Sequence, residues 1–324
     1  MNNQLKGLLI AFFGIVTLTP DPVLVVLADA NTSTILFWRG IFYALGIFII
    51  LFVTYDLKPS LIEVTKQKDH TNFLDKFKQL NTFKELKKIG RVGVLIGFLS
   101  GIGGVTFIAA IQYISIAKVL VIISTAPLVV AVISWMLINE KPRFFTWISM
   151  VVIVIGIYIV MIGGTESCVK ELDLIDDCSS KNLKGSLLAL FSVIAGGYSF
   201  ALTRKYSNIN MVPAMIVNAL VVSFIGLISG LIFSNSFYLP FESLMFVITG
   251  GFILAISFSL ITIAPRFIPA SEVAMFMPLG TILGTLSAWI FIGQEPSSNS
   301  LLGGSIVILT LFFHAWYSSK IQTK

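Results

Sequence analysis

The sequence predicts an all-α integral membrane protein whose ten transmembrane helices form two inverted five-helix repeats. Three observations predict it. The chain of 324 residues is 56% hydrophobic and only 12% charged, with a mean hydropathy of +0.94, too little polar surface to clothe a soluble fold of this size. Its apolar residues gather in ten continuous runs, each close to the ~20 residues that a helix needs to cross ~30 Å of hydrocarbon. The runs are continuous rather than alternating, which favours helices over the strands of a barrel. Finally, the chain says the same thing twice. Lys6-Gly7 and Lys184-Gly185 each open five apolar runs, and Trp135 before Glu140-Lys141-Pro142 is echoed by Trp289 before Glu295-Pro296. Because five is odd, the second unit enters the membrane from the opposite side, a build that recurs in secondary transporters with the substrate site between the halves. The domain reading is a first repeat over 1–163, a connector over 164–184 and a second repeat over 185–324.

The first run, at about 6–27, carries Asp21 between Pro20 and Pro22. Two prolines remove two backbone donors, so the helix is expected to kink or unwind where the carboxylate lies. Ala28-Asp29-Ala30 imitates a signal-peptidase site, yet the run is long for a signal h-region and Pro-Asp-Pro interrupts it, so it is read as a retained helix. The second run, at about 33–54, carries Arg39 six residues in. At 1.5 Å per residue, Asp21 and Arg39 both lie ~9 Å below the outer face. Sharing a depth, they are predicted to form a buried or half-buried ion pair, since an ionised group inside the bilayer persists beside a partner or a wet cavity. Two roles stand open for such a pair. It locks the first hairpin without touching cargo, or Arg39 offers a forked donor to a carboxylate or phosphate while Asp21 takes an ammonium group or a proton.

A long connector, at about 55–91, follows. Phe73, Leu74, Phe77, Leu80, Phe83 and Leu86 recur at helical spacing among lysines, which fits an interfacial helix on an anionic leaflet and equally a solvated insertion. The third run, at about 92–112, ends on Gln112 and Tyr113, candidate cavity residues that helix-to-helix hydrogen bonding explains as well. Lys118 stands near the outer start of the fourth run, at about 117–138, where it extends a cationic mouth or snorkels to the interface. The fifth run, at about 144–163, leads to an acidic connector with the only two cysteines, Cys168 and Cys178. In an oxidising space they suit a disulfide; two free thiols are the other reading. No histidine accompanies them, so no metal site is expected there.

The second set of runs lies at about 185–203, 212–234, 243–263, 271–292 and 301–318. Tyr198 and Asn218 are its polar cavity candidates, Asn218 one position from the counterpart of Arg39. Glu272 opens the ninth run, either as a favourable anion at a helix N-terminus or as a proton-coupled carboxylate if it faces the cavity. Gly280 and Gly284 form a GxxxG pair, a tight contact or a homodimer face. His314 is expected at the inner interface.

Most of the 22 basic residues fall on one side when the N-terminus is placed inside, including the series from Lys58 to Arg91. Arg39, Lys118, Lys170, Lys181 and Lys184 alone fall in or beside the outer half. The positive-inside rule therefore puts both termini in the cytoplasm. The net charge of +6 describes that inner face, and without an aromatic-interleaved basic patch it does not indicate nucleic acid. No HExxH, no nucleophile beside a histidine and no GxxxxGK[ST] loop occurs, so neither an enzyme nor direct ATP coupling is expected. No cofactor is implied.

The repeat, Phe37-Trp38-Arg39-Gly40 in the second run, Thr125-Ala126-Pro127-Leu128 in the fourth, and the Glu-Pro endings of the fourth and ninth together resemble the EamA branch of the drug/metabolite transporter superfamily. Within that branch the chain is similar to a bacterial subgroup with a Pro-Asp pair, here Pro20-Asp21, and an Ala-x-Glu element, here Ala270-Ser271-Glu272. The resemblance implies two EamA-type repeats in a bacterial inner membrane, carrying small polar metabolites by alternating access: amino acids, nucleoside derivatives or organic anions. A lipid flippase or a non-transporting sensor is the alternative. Where relatives usually carry Glu-Thr in the ninth helix, this chain has Gly280-Thr281, and at a position often small or neutral it has Lys118. Both departures make the cavity more positive and favour a cargo with a carboxylate or phosphate.

Overall fold

The computed structural model describes residues 3–57, 81–114, 116–139, 144–162, 175–234, 236–292 and 298–321. Every regular element among them is helical. Seven helical segments are long and apolar enough to cross a bilayer: Asn3–Leu27, Thr32–Asp56, Gly90–Tyr113, Leu183–Lys205, Ala214–Ile232, Phe241–Arg266 and Ala270–Phe291. Among the described residues each of the ten apolar runs is mainly helical, but the fourth yields two short helices, and the fifth contributes a shorter apolar stretch over the fully described residues Phe144–Gly156.

The first span is broken. α1 (Asn3–Leu18) stops at a turn over Thr19 and Pro20, and α2 (Asp21–Leu27) restarts with Pro22 in its first turn. α3 (Thr32–Phe52) runs on through a π-helical turn, Val53–Leu57. Of the long basic connector, 58–80 lie outside the described residues, so the helix expected around Phe73 and Phe77 does too. Its end is helical: in α4 (Asn81–Lys88) the Asp56 carboxylate accepts from the Asn81 and Thr82 amides, and Lys88 donates to Glu85. α5 (Gly90–Tyr113) follows. The fourth run divides into α6 (Ile116–Ile123) and α7 (Ala126–Ile138), because Pro127 removes an amide and Ser124-Thr125 form a turn between them. α8 is Phe144–Ile162.

The second half opens with α9 (Ile175–Lys205), which begins before the apolar stretch. Cys178 lies on its first turns and Cys168 outside the described residues, as does the Cys178 side chain, so their pairing is outside them also. α10 (Ala214–Ile232) and α11 (Phe241–Ile263) are continuous, the latter ending in a single 3₁₀ turn at Ala264–Arg266. The ninth run is again split, into α12 (Ala270–Ala274) and α13 (Met277–Ile292). α14 (Ser298–Ile321) closes the chain.

Packing runs mainly across the two halves. α3 lies against α10 and α11, α5 against α9 and α10, α1 against α11, α7 against α9 and α12, and α8 against α14. Small residues set the closest crossings, as expected where lipid supplies no hydrophobic drive between helices. A Cβ on Gly226 of α10 would fall 2.4 Å from the Phe37 amide nitrogen of α3, and one on Gly40 of α3 would fall 2.6 Å from the Ser223 nitrogen of α10. Gly280 and Gly284 face Ile15 and Leu120 inside the chain, so this GxxxG pair serves internal packing. His314 is buried rather than interfacial: Ser149 Oγ lies 3.1 Å from its Nδ1, and Phe145 stacks on its ring at 5.5 Å, joining α8 to α14.

Candidate functional site

Between the halves lies a cavity of about 220 Å³. Its walls come from the first four runs and from the sixth to the ninth, and among the described residues none of α8 or α14 lines it. Phe107, Ile108, Leu120, Ile123 and Val222 make most of the wall apolar, and Asp21 and Arg39 supply its charge among the described residues.

The two charges meet as their depth requires. Asp21 is the first residue of α2, held there by the break at Pro20, and Arg39 projects from α3; their residues are 3% and 5% exposed. Arg39 Nη2 donates to Asp21 Oδ2. The pair satisfies only part of its capacity: Arg39 Nε and Nη1 and Asp21 Oδ1 are buried with no hydrogen-bond partner among the described residues. The same is true of Tyr43 Oη, one helical turn below Arg39 on α3 and also on the cavity wall. Gly250 of α11 stands opposite the carboxylate, and a Cβ there would lie 3.7 Å from Asp21 Oδ1.

Asn218 lines the cavity from α10, its Nδ2 3.8 Å from Met215 Sδ. A second polar strip runs down the α5–α9 seam. Ser192 Oγ donates to the Gly103 carbonyl at 2.7 Å, and the Ser100 and Ser199 hydroxyls are 2.6 Å apart. Thr281 ties α13 to α6 by donating to the Leu120 carbonyl at 3.2 Å, next to the bare Gly280 that also lines the cavity.

The remaining expected site residues are elsewhere. Gln112 and Tyr113 are exposed at the end of α5. Tyr198 is exposed on α9 because the wall is made by Gly196, Ser199, Phe200 and Thr203, and at 100° per residue position 198 points away from that stripe. Glu272 is buried in α12 beside α7, off the cavity wall. Lys118 is on α6, with its side chain outside the described residues. The residue that sequence reading missed is Tyr43; its place four after Arg39 on one helix was the available signal. The start of α3 is fastened to the segment after α10, with Thr34 Oγ1 donating to the Ser236 carbonyl at 2.9 Å and Trp38 Nε1 to that of Phe237 at 2.8 Å.

Residues 5–162 match the model of the EamA-like transporter family. No curated protein matches the chain. Among solved structures 28 chains match; one, a crystal structure of a protein with 13% identity and a TM-score of 0.71, covers 98% of this chain and 98% of its own. At that identity the likeness is one of fold.

Proposed function

We infer from a chain that belongs, through residues 5–162, to the EamA-like transporter family that the central cavity carries a small polar metabolite across a bacterial inner membrane by alternating access. The chain is a multi-pass membrane protein of the drug/metabolite transporter type. Its ten apolar runs are ten spans in two inverted repeats, 1–163 and 185–324, with both termini cytoplasmic and the 164–184 connector outside. The packing supports that reading. Exchange each helix of the first half for its counterpart in the second, and the contact pattern maps onto itself: α3–α11 becomes α10–α5, α1–α11 becomes α9–α5, and α3–α10 and α8–α14 map to themselves. The counterpart spans α6–α7 and α12–α13 are both broken near a proline, Pro127 and Pro278.

The observation that carries the functional reading is the partly satisfied charged pair on the wall of a cavity between the halves. A pair that merely locked two helices would gain nothing from leaving three polar atoms desolvated and unpaired, each costing roughly 1–3 kcal/mol. A central void also differs from the filled core of a non-transporting protein. Arg39, Asp21, Tyr43 and Asn218 contact the cargo, and Lys118 stands at the outer mouth. The cargo is an amino acid, a nucleoside derivative or an organic anion. Reconstituted protein should carry at least one of these in a proteoliposome flux screen, and Arg39→Ala and Asp21→Asn should each abolish that flux. Unchanged flux in both variants would remove the pair from the cargo site.

A further inference from the structure

We propose that an anionic cargo joins Asp21 on Arg39 and that the carboxylate then takes up a proton, so that each monoanion crosses with one H⁺. The inference rests on the transport reading and adds its coupling. Its first support is the geometry of the guanidinium. A planar guanidinium presents two paired edges, Nε with Nη2 and Nη1 with Nη2, to a carboxylate or phosphate-like group. Both edges contain Nη2, the nitrogen that already donates to Asp21, whereas Nε and Nη1 are without partners. Nη2 carries two hydrogens, one on each edge, so the edge whose hydrogen Asp21 does not use is open to a fork, and a cargo anion seated there shares Arg39 with the carboxylate.

The second support is the charge count. Among the described residues the cavity wall holds one cation and one anion, Arg39 and Asp21. Among the described residues, the elements around Asp21 add no other charge facing it: α3 contributes Arg39 and the Tyr43 phenol, α11 presents Gly250, and α13 contributes the wall residues Gly280 and Thr281. Glu242 lies exposed at the far start of α11, and Glu272 is off the wall. An arriving monoanion would leave this apolar chamber at −1, and an unpaired charge in such surroundings is neutralised rather than tolerated. Arg39 already carries its full set of protons and cannot supply neutrality by taking another. Asp21 can: a proton from the water on the side where cargo arrives forms an O–H bond on the carboxyl, and the site is again neutral with cargo and Arg39 paired. On release at the other face the proton leaves, and the ionised Asp21 is again the sole anion on Arg39. The apolar walls at Phe107, Ile108 and Val222 select a monoanion with an apolar body.

Two measurements test this on the full-length protein. Arg39→Gln removes the partner without cargo, so infrared spectra at neutral pH should gain a protonated-carboxyl band that Arg39→Gln with Asp21→Asn lacks; no such band would overturn the proposal. In proteoliposomes with trapped pyranine, an inward gradient of benzenesulfonate, which stays charged at every working pH, should acidify the lumen, and Asp21→Asn should abolish that acidification. Benzenesulfonate flux without a pH change would refute the coupling and leave the transporter reading intact. Carriage of a zwitterion such as phenylalanine with no benzenesulfonate flux would refute the anionic cargo. If nothing is carried, the transport reading fails, and the infrared band still decides the fate of the carboxyl.

Discussion

The crossing of α3 and α10 should not tolerate one additional methyl group, and its cost can be worked from the distances. In Gly226→Ala the new Cβ would sit 2.4 Å from the Phe37 nitrogen, 2.8 Å from Leu36 Cβ and 2.9 Å from the Leu36 carbonyl carbon. Backbone on the far side cannot swing away as a side-chain tip would. The helices must part by about 1 Å, an overpacking that costs ~1–3 kcal/mol. Alanine returns up to ~1 kcal/mol of helix propensity. Gly196→Ala is the matched control. It also lies inside a long helix, α9, but its Cβ would meet nothing within 4 Å, so only the propensity gain remains. The two variants should differ by roughly 2 kcal/mol, and at ~2 °C per kcal/mol for a chain of this size Gly226→Ala should melt lower and Gly196→Ala slightly higher than the parent. Thermal unfolding of the purified protein in detergent reads this directly. Equal shifts in the two variants would refute the claim that close approach at this crossing, rather than glycine content, holds the halves together.

Other outcomes follow from the same geometry. Gly104→Phe, whose Cβ would meet only Val222 Cγ2 at 3.7 Å, should place its ring in the cavity and suppress flux in proteoliposomes with little change in melting temperature. Trp38→Phe removes the indole bond to the Phe237 carbonyl and should lower stability by ~0.5–1.5 kcal/mol, seen in the same melting assay. An impermeant thiol reagent applied to cells before and after reduction should label Cys168 and Cys178 from outside; labelling only from the cytoplasmic side would reverse the proposed orientation. Ser192→Ala, which frees the Gly103 carbonyl from its 2.7 Å bond, should loosen the α5–α9 seam and cost ~1 kcal/mol.

The charged pair was legible in the sequence because helix rise alone fixes depth: two residues equally far from one face, on consecutive spans, must meet or be ruinously unpaired. The break in the first span was legible for a similar reason, since Pro20 and Pro22 delete amides whatever surrounds them. Which side of a helix faces the cavity was not legible. Gln112, Tyr113 and Tyr198 were selected by polarity, and polarity does not distinguish an interior wall from an interfacial ring. Tyr43 is hard to pick out because a tyrosine in an apolar helix looks like bulk; only the stripe set by Arg39 marks it. Pro127 carries the same message for the fourth span as Pro22 does for the first, a missing amide within an apolar run.

Three interrupted spans also bear on how the cargo preference of this protein can change. Pro22, Pro127 and Pro278 have no amide hydrogen, so the carbonyls of Leu18, Ile123 and Ala274 lose the donor that an unbroken helix would give them. Leu18 and Ile123 are on the cavity wall. A side-chain contact disappears with one base change, whereas a carbonyl belongs to every residue that might stand there. Redesign of this chamber by substitution would therefore alter its charges and its bulk but leave these main-chain acceptors in place.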